Sequence, residues 1–418
     1  MGKFIINGGK RLEGEVNISP AKNACLPLIA SSILFPGQIL FEKAPNITDV
    51  RVMGQIVENL GGEYSYGNDG LMINASKINS FEADCEICKR ARASFFIAGA
   101  LLSRFKKAVV PLPGGCNIGD RPVDIHISAL NQLGAEVIIG EKCVYFDGAN
   151  MRAGNVKLVF PSVGATVNAI TASVFLSGET YIYNVAKEPE IVNMCTFLNL
   201  CGCNISGAGG NVIRVKGVKE LRDRFFSFLP IKDRIEAGTF VCMVGACGGE
   251  ISFEYDNFDT IRAFSEKLCE CGMKIEYANN YVRVYANKRV KGANVVADVY
   301  PMFPTDLQSI YCALCATGIG KSIVEDKVFK KRFDFINELK KMGADVRIEN
   351  NKAIINGVKR MRSASVFATD LRAGAGLVLA GLCADGQTVV LNGEVVKRGY
   401  EKLEQKLNVL GASITYVN

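Results

Sequence analysis

One pattern recurs six times in this chain and restricts its fold more than any other feature. An amphipathic stretch ends in a glycine, and alternating apolar residues follow: VRVMGQIVENLGGEYSY, DIHISALNQLGAEVII, NMCTFLNLCGCNIS, RAFSEKLCECGMKIEY, FINELKKMGADVRIE and EKLEQKLNVLGASITY. The glycines are Gly61, Gly134, Gly202, Gly272, Gly343 and Gly411, spaced 73, 68, 70, 71 and 68 residues apart. A near-constant period of this length marks a repeat architecture. Within each copy, apolar residues at three- and four-residue spacing, such as Ile336, Leu339 and Met342, predict a helix. The glycine predicts a left-handed cap. Alternation of Val346 and Ile348 with Arg347 and Glu349 predicts a strand, and EYANNY and IENNKA predict hairpin turns. A more apolar segment such as ASVFLSGETYIYNV separates each hairpin from the next helix. Each unit is thus a βαβαββ-like module of an α/β (α+β) fold.

A single module of this size cannot bury both of its faces, so modules must share cores. Six divide naturally into three plus three, and the charged, aromatic connector around Arg222 to Lys232 is the expected break. Charges can converge between two such domains, which is where a functional site is expected.

Composition removes several classes of function. The chain has 418 residues, enough for two or three domains. Apolar stretches such as Phe95 to Leu102 are far short of the roughly 20 residues of a membrane-spanning helix. MGKFIINGGKRLEGEV lacks the apolar centre and cleavage site of a signal peptide and reads as a strand and a turn. A cytoplasmic location is expected, with no membrane partner. The 15 cysteines are scattered through apolar segments, as buried thiols are. Two CxxC pairs, Cys85/Cys88 and Cys312/Cys315, lie far apart in helix-like runs with no histidine near, so neither a metal site nor a disulfide framework is expected. His126 is the only histidine, which removes Ser-His-Asp and Cys-His catalysis everywhere else. The net charge of +7 comes without basic runs interleaved with aromatics. Nucleic acid is not expected; a basic cleft for small polyanions fits better.

Four segments break the repeat and carry the chemistry. In SPAKNACLPL, Lys22 and Asn23 stand beside a helix start, where free N–H groups and a lysine suit phosphate or carboxylate. In PLPGGCNIGDRPVDIHI, Cys116 is framed by Gly114, Gly115 and Gly119 and followed by Arg121. A thiol near cations can transfer protons or react covalently. In YPMFPTDLQSI, Asp306 sits at a strand-to-helix corner, as an N-cap or as a general base if a substrate hydroxyl reaches it. Arg92, Arg332, Arg372 and Arg398 each stand near a helix start. Together with Lys22 and Arg121 they suit a substrate carrying phosphates and a carboxylate. ATGIGKS resembles a P-loop, but the glycine required five residues before Gly320 is Cys315, so it reads as a turn.

AKNA (21–24), RAS (92–94), PGGCNIGDRPVD (113–124), SVGAT (162–166), EPEIV (188–192), DRIEAGTF (233–240), FPTDLQ (303–308), ATDLRAGA (368–375) and RGYE (398–401) follow one another in this order. In this, the chain resembles the UDP-N-acetylglucosamine enolpyruvyl transferases of bacterial cell-wall synthesis, over its whole length. The resemblance implies an inverted α/β barrel of three modules in each of two domains, 22–229 and 1–21 with 230–418, closing over the substrates. It implies a sugar nucleotide held by Arg92, Arg121, Pro122, Val123, Asp124, Ile125, Ser162, Val163, Gly164 and Val328. It implies phosphoenolpyruvate held by Lys22, Asn23, Arg121, Arg332, Arg372 and Arg398. Asp306 would take the proton of the attacking 3′-hydroxyl, Cys116 would protonate C3, and Asp370 would assist the second proton transfer. No cofactor, metal or obligate protein partner is implied.

The chain departs from the family pattern at Pro20, Phe160, Asn193, Lys397 and the KKRFDF segment around Lys331. Two other readings compete. One is a shikimate-phosphate enolpyruvyl transferase, a sister family that lacks the cysteine loop. The other is a catalytically weak paralogue that senses nucleotide or binds protein; the intact set of Lys22, Cys116, Asp306 and Arg398 argues against it.

Overall fold

The computed structural model describes residues 2–113, 123–287, 289–329 and 332–418. All six repeat glycines adopt left-handed backbone, with φ between +84° and +112°. Each follows a helix: Thr48–Asn59, Asp124–Gln132, Pro189–Leu200, Arg262–Glu270, Ile336–Lys341 and Leu403–Val409. In all six, the residue after the glycine returns its N–H to a carbonyl five residues back. The bonds are Gly62 to Val57 (3.0 Å), Ala135 to Leu130 (3.1 Å), Cys203 to Leu198 (3.0 Å), Met273 to Leu268 (3.2 Å), Ala344 to Leu339 (3.2 Å) and Ala412 to Leu407 (3.0 Å). This is the Schellman closure, which satisfies helix-end carbonyls and needs a residue tolerant of positive φ. The repeat was legible because one backbone requirement selects one residue type six times.

A second set of helices is buried almost all round: Lys22–Ser32, Ile97–Phe105, Val163–Ser173, Arg234–Cys247, Gln308–Thr317 and Leu371–Leu382. Their small residues allow close packing. All of LRAGAGLVLAGL is buried, and a Cβ on Gly376 would lie 3.0 Å from the Ser309 carbonyl oxygen of the neighbouring helix. Helices inside and sheets outside make each unit an inverted barrel.

The sheets repeat one plan, except that beside Lys107–Pro111 the fourth strand is reduced to an isolated parallel bridge at Glu82. A hairpin pairs antiparallel with a third strand, and that strand pairs parallel with a fourth. One instance runs Asp345–Glu349, Lys352–Asn356, Lys321–Asp326, Val295–Asp298. The parallel pair is joined through Gln308–Thr317, a helical crossover of the kind parallel strands require. The hairpin turns carry paired left-handed asparagines, Asn279–Asn280 and Asn350–Asn351, as EYANNY and IENNKA predict. The contiguous βαβαββ reading needs one amendment: three modules borrow a strand. Leu12–Glu15 completes the sheet of Gly249–Glu254, and Phe226–Phe228 that of Gln38–Glu42. Lys3–Asn7 lies between Gln387–Leu391 and Ile414–Val417.

The chain divides into two compact units, one of residues 2–19 with Lys232–Asn418, the other of residues 20–113 with 123–231. Each has its own apolar core. Cys312 and Cys315 are buried in a helix, and burial pushes the Cys315 thiol up to about 12. Cys85–Cys88 forms a four-residue helix. ATGIGKS spans a helix end and the start of strand Lys321–Asp326. Among the described residues, no helix is long and apolar enough to cross a membrane.

Candidate active site

In the unit containing Lys232–Asn418, the chemistry gathers on Asp306. It lies in the short 3-10 helix Thr305–Leu307, and its side chain does not cap that helix. Its two carboxylate oxygens instead take two guanidinium groups. Arg332 Nη2 donates to Oδ1 at 2.9 Å and Arg372 Nη2 to Oδ2 at 3.0 Å. Both arginines are almost fully buried, with side chains 4% and 2% exposed, against 25% for Asp306. A buried guanidinium needs a compensating charge, because desolvation alone makes it costly. At Arg372 burial opposes the charge, and the Asp306 carboxylate more than offsets it, so its pKa stands above the ordinary arginine value.

Neighbouring elements fix both arginines. Arg332 Nη1 donates to Thr305 Oγ1 at 2.9 Å, and that hydroxyl donates to Asp326 Oδ2 at 2.5 Å. Asp326 Oδ1 accepts the N–H groups of Val328 and Phe329, at 2.8 and 2.9 Å. Burial pushes the Asp326 carboxyl up, opposed chiefly by the Thr305 bond. Arg372 lies over the Tyr400 ring, 5.4 Å from its centroid, and Tyr400 shares a 2.8 Å hydroxyl contact with Thr239. Asp370 caps helix Leu371–Leu382: its Oδ1 accepts from Arg372 N and Ala373 N, at 2.8 and 3.1 Å. Arg398 closes the 3-10 helix Gly393–Arg398 and precedes helix Leu403–Val409. Beside it Lys397 sits over the Tyr416 ring, 3.4 Å from the centroid.

In the unit of residues 20–231, Lys22 and Asn23 begin helix Lys22–Ser32. Lys22 Nζ donates to Asp49 Oδ2 at 3.3 Å, with the two side chains only 11% and 6% exposed. Sequence reading missed Asp49. A signal existed: it stands in helical phase with the buried Val52, Met53 and Ile56, where a carboxylate is out of place without a partner.

Arg92 opens the 3-10 helix Arg92–Phe96. Asp124 and Ile125 begin helix Asp124–Gln132, with Val123 at its N-cap position. Ser162 caps helix Val163–Ser173, its hydroxyl accepting from Ala165 N at 3.3 Å. A side chain at Gly164 would strike the His126 ring. That ring is held by Asn168, whose Oδ1 accepts from Gly99 N at 3.0 Å. Its Nδ2 donates to Phe95 O at 3.0 Å and to His126 Nδ1 at 2.9 Å. Asn168 is therefore the donor, which puts the imidazole proton on Nε2. The only histidine thus lies between the starts of helices Asp124–Gln132 and Val163–Ser173. Cys116, Arg121 and Pro122 lie outside the described residues. Among those described, no group of three or more His, Cys, Asp or Glu is placed to hold a metal ion.

Two nearly buried arginines thus converge on one partly exposed carboxylate, an arrangement with surplus positive charge suited to an anion. The chain belongs to the family described as EPSP synthase (3-phosphoshikimate 1-carboxyvinyltransferase), whose family model matches residues 6–407. The relatives it resembles at high identity carry a more particular name. It is 42% identical to UDP-N-acetylglucosamine 1-carboxyvinyltransferase 1 of Caldanaerobacter subterraneus subsp. tengcongensis, over 99% of both chains. The enzymes of that name from Thermodesulfovibrio yellowstonii and Clostridium botulinum are 41% and 42% identical, again over 99% of both chains. In fold the chain is similar to the enolpyruvyl transferase NikO from Streptomyces tendae, with TM-score 0.90 at 22% identity, covering 100% of this chain and 99% of that one. It is also similar to EPSP synthase from Acinetobacter baumannii, with TM-score 0.75 at 16% identity and full coverage of both chains.

Proposed function

We propose that this enzyme transfers the enolpyruvyl group of phosphoenolpyruvate to the 3′-hydroxyl of UDP-N-acetylglucosamine and releases phosphate, the first committed step towards peptidoglycan. The observation that carries the reading is full-length identity of 41–42% to relatives that bear the name of this reaction. A cytoplasmic location follows from the same reading, since both substrates are cytoplasmic metabolites.

The chemistry requires an acid and a base. As the 3′-oxygen attacks C2, its proton passes to Asp306, and C3 receives a proton from Cys116, giving a tetrahedral ketal. Loss of a C3 proton and of phosphate then restores the double bond. Each positioned proton transfer contributes about 10² to 10⁴ in rate. Lys22, Asn23, Arg121, Arg332, Arg372 and Arg398 bind phosphoenolpyruvate. Arg92, Arg121, Pro122, Val123, Asp124, Ile125, Ser162, Val163, Gly164 and Val328 hold the nucleotide. Asp370, whose carboxylate also caps the Arg372 helix, assists the second proton transfer.

The test is phosphate release with each acceptor. Turnover is expected with UDP-N-acetylglucosamine and not with shikimate 3-phosphate. The second acceptor deserves its own arm because the family description names it; comparable turnover with it sinks the assignment.

Asp49 enters this reading as the residue that positions Lys22. Asp49→Asn is expected to raise KM for phosphoenolpyruvate about tenfold or more, the scale of one charge-assisted hydrogen bond, with KM for the nucleotide unchanged. Asp49→Glu should recover part of the loss. Equal rises in both KM values, or a fall in melting temperature alone, would assign Asp49 a purely structural role.

A further inference from the structure

Arg332 and Arg372 have more donors than their neighbours use. Arg332 Nε and Arg372 Nη1 are buried, and neither has a hydrogen-bond partner among the described residues. A buried N–H of a cation left unpaired costs on the order of 1–3 kcal/mol. Both belong to guanidinium groups that already hold Asp306, one on each carboxylate oxygen. The planar fork of arginine matches an oxyanion with two N–H groups at once, so the remaining donors mark where a second anion joins.

We infer that Asp306 acts as a latch: it occupies the anion clamp formed by Arg332 and Arg372, and the anionic substrate, joining first at their unused donors, draws both guanidinium groups away from it. This deepens the function proposed above and rests on it. A carboxylate with both oxygens in ion pairs with guanidinium groups accepts a proton poorly, because the paired charges favour its ionised form. An anion that draws those guanidinium groups towards itself leaves Asp306 less compensated, and therefore a better base. The base becomes competent when the group to be transferred has arrived. The nucleotide hydroxyl is then not deprotonated ahead of its electrophile. Thr305 accepts from Arg332 Nη1 and the Tyr400 ring lies against the Arg372 guanidinium, so both arginines keep a support that does not depend on Asp306.

A latch that competes with substrate lowers the substrate's apparent affinity by the fraction of time the clamp is occupied. Removing the carboxylate should therefore tighten binding although it stops catalysis. The experiment titrates phosphoenolpyruvate alone, without acceptor, into the wild-type chain, Asp306→Asn and Asp370→Asn. Asp370→Asn removes the same charge nearby, and asparagine still caps a helix, so it reports the effect of charge alone. Asp306→Asn is expected to bind about tenfold more tightly than wild type, and Asp370→Asn less than threefold more tightly. Equal or weaker binding by Asp306→Asn, or none, overturns the latch; so does an equal gain in Asp370→Asn. Asp306→Ala replaces Asp306→Asn if the latter folds poorly by circular dichroism. In wild type, the Asp306 carboxyl carbon resonance should move on adding phosphoenolpyruvate, and a fixed resonance would count against the latch. Absence of turnover with UDP-N-acetylglucosamine would instead overturn the function on which the latch rests.

Discussion

Cys116→Ala is expected to lose about 10² to 10⁴ in phosphate release, the range one positioned proton donor supplies. The thiol stands in PGGCNIGDRPVD, framed by glycines and followed by Arg121. By contrast, burial pushes thiols such as Cys88, Cys195 and Cys201 up to about 12, which leaves almost no thiolate at neutral pH. A phosphonate epoxide such as fosfomycin should therefore alkylate Cys116 far faster than these three. Its phosphonate would use the cations proposed for phosphate, which adds proximity to reactivity. Labelling should accelerate with UDP-N-acetylglucosamine present. Cys116→Asp should keep part of the turnover and escape alkylation, since a carboxylic acid can donate a proton but forms no thioether. Peptide mass spectrometry reads the result; alkylation spread over several cysteines, or none at Cys116, would favour the inert-paralogue reading.

Arg372→Ala is the second large effect. Losing the charge-assisted hydrogen bonds through which Arg372 is proposed to hold phosphoenolpyruvate costs about 1.5–3 kcal/mol each, so kcat/KM should fall by about 10² or more. KM for phosphoenolpyruvate should carry much of the change, with KM for the nucleotide nearly constant. Arg372→Lys restores charge but not the fork and should recover only a minor part. Arg372→Met keeps most of the buried volume and separates folding from function: a cooperative melting transition, lowered by loss of the Asp306 pair, with the activity still missing is expected. Full activity in Arg372→Met would remove this arginine from the substrate site.

The order of the six modules could be read from the chain because each helix end imposes the same demand at Gly61 and its five counterparts. Hairpins were legible for the same reason, at Asn279–Asn280 and Asn350–Asn351. Borrowed strands were not. Leu12–Glu15 buries one residue of four and Phe226–Phe228 is three residues long, and nothing local says which distant partner they serve. In the candidate site, Asp306, Arg332 and Arg372 could be named individually, yet their joining could not. They lie 26 and 66 residues apart in pairs, and the contact depends on tertiary packing. Asp49 was hidden because an acidic residue in a first helical turn is ordinary; only its burial against Lys22 makes it specific.

The place of Lys3–Asn7 between Gln387–Leu391 and Ile414–Val417 sets the order in which a nascent chain can mature. All the strands pairing within residues 20–231 have been synthesised once that stretch has left the ribosome, so its unit can close on its own schedule. The opening strand must instead wait through nearly the whole of translation for partners close to 400 residues away, a closure of high contact order and correspondingly slow. During that interval an apolar strand with unpaired edges is exposed, and it is the segment a chaperone would need to shield.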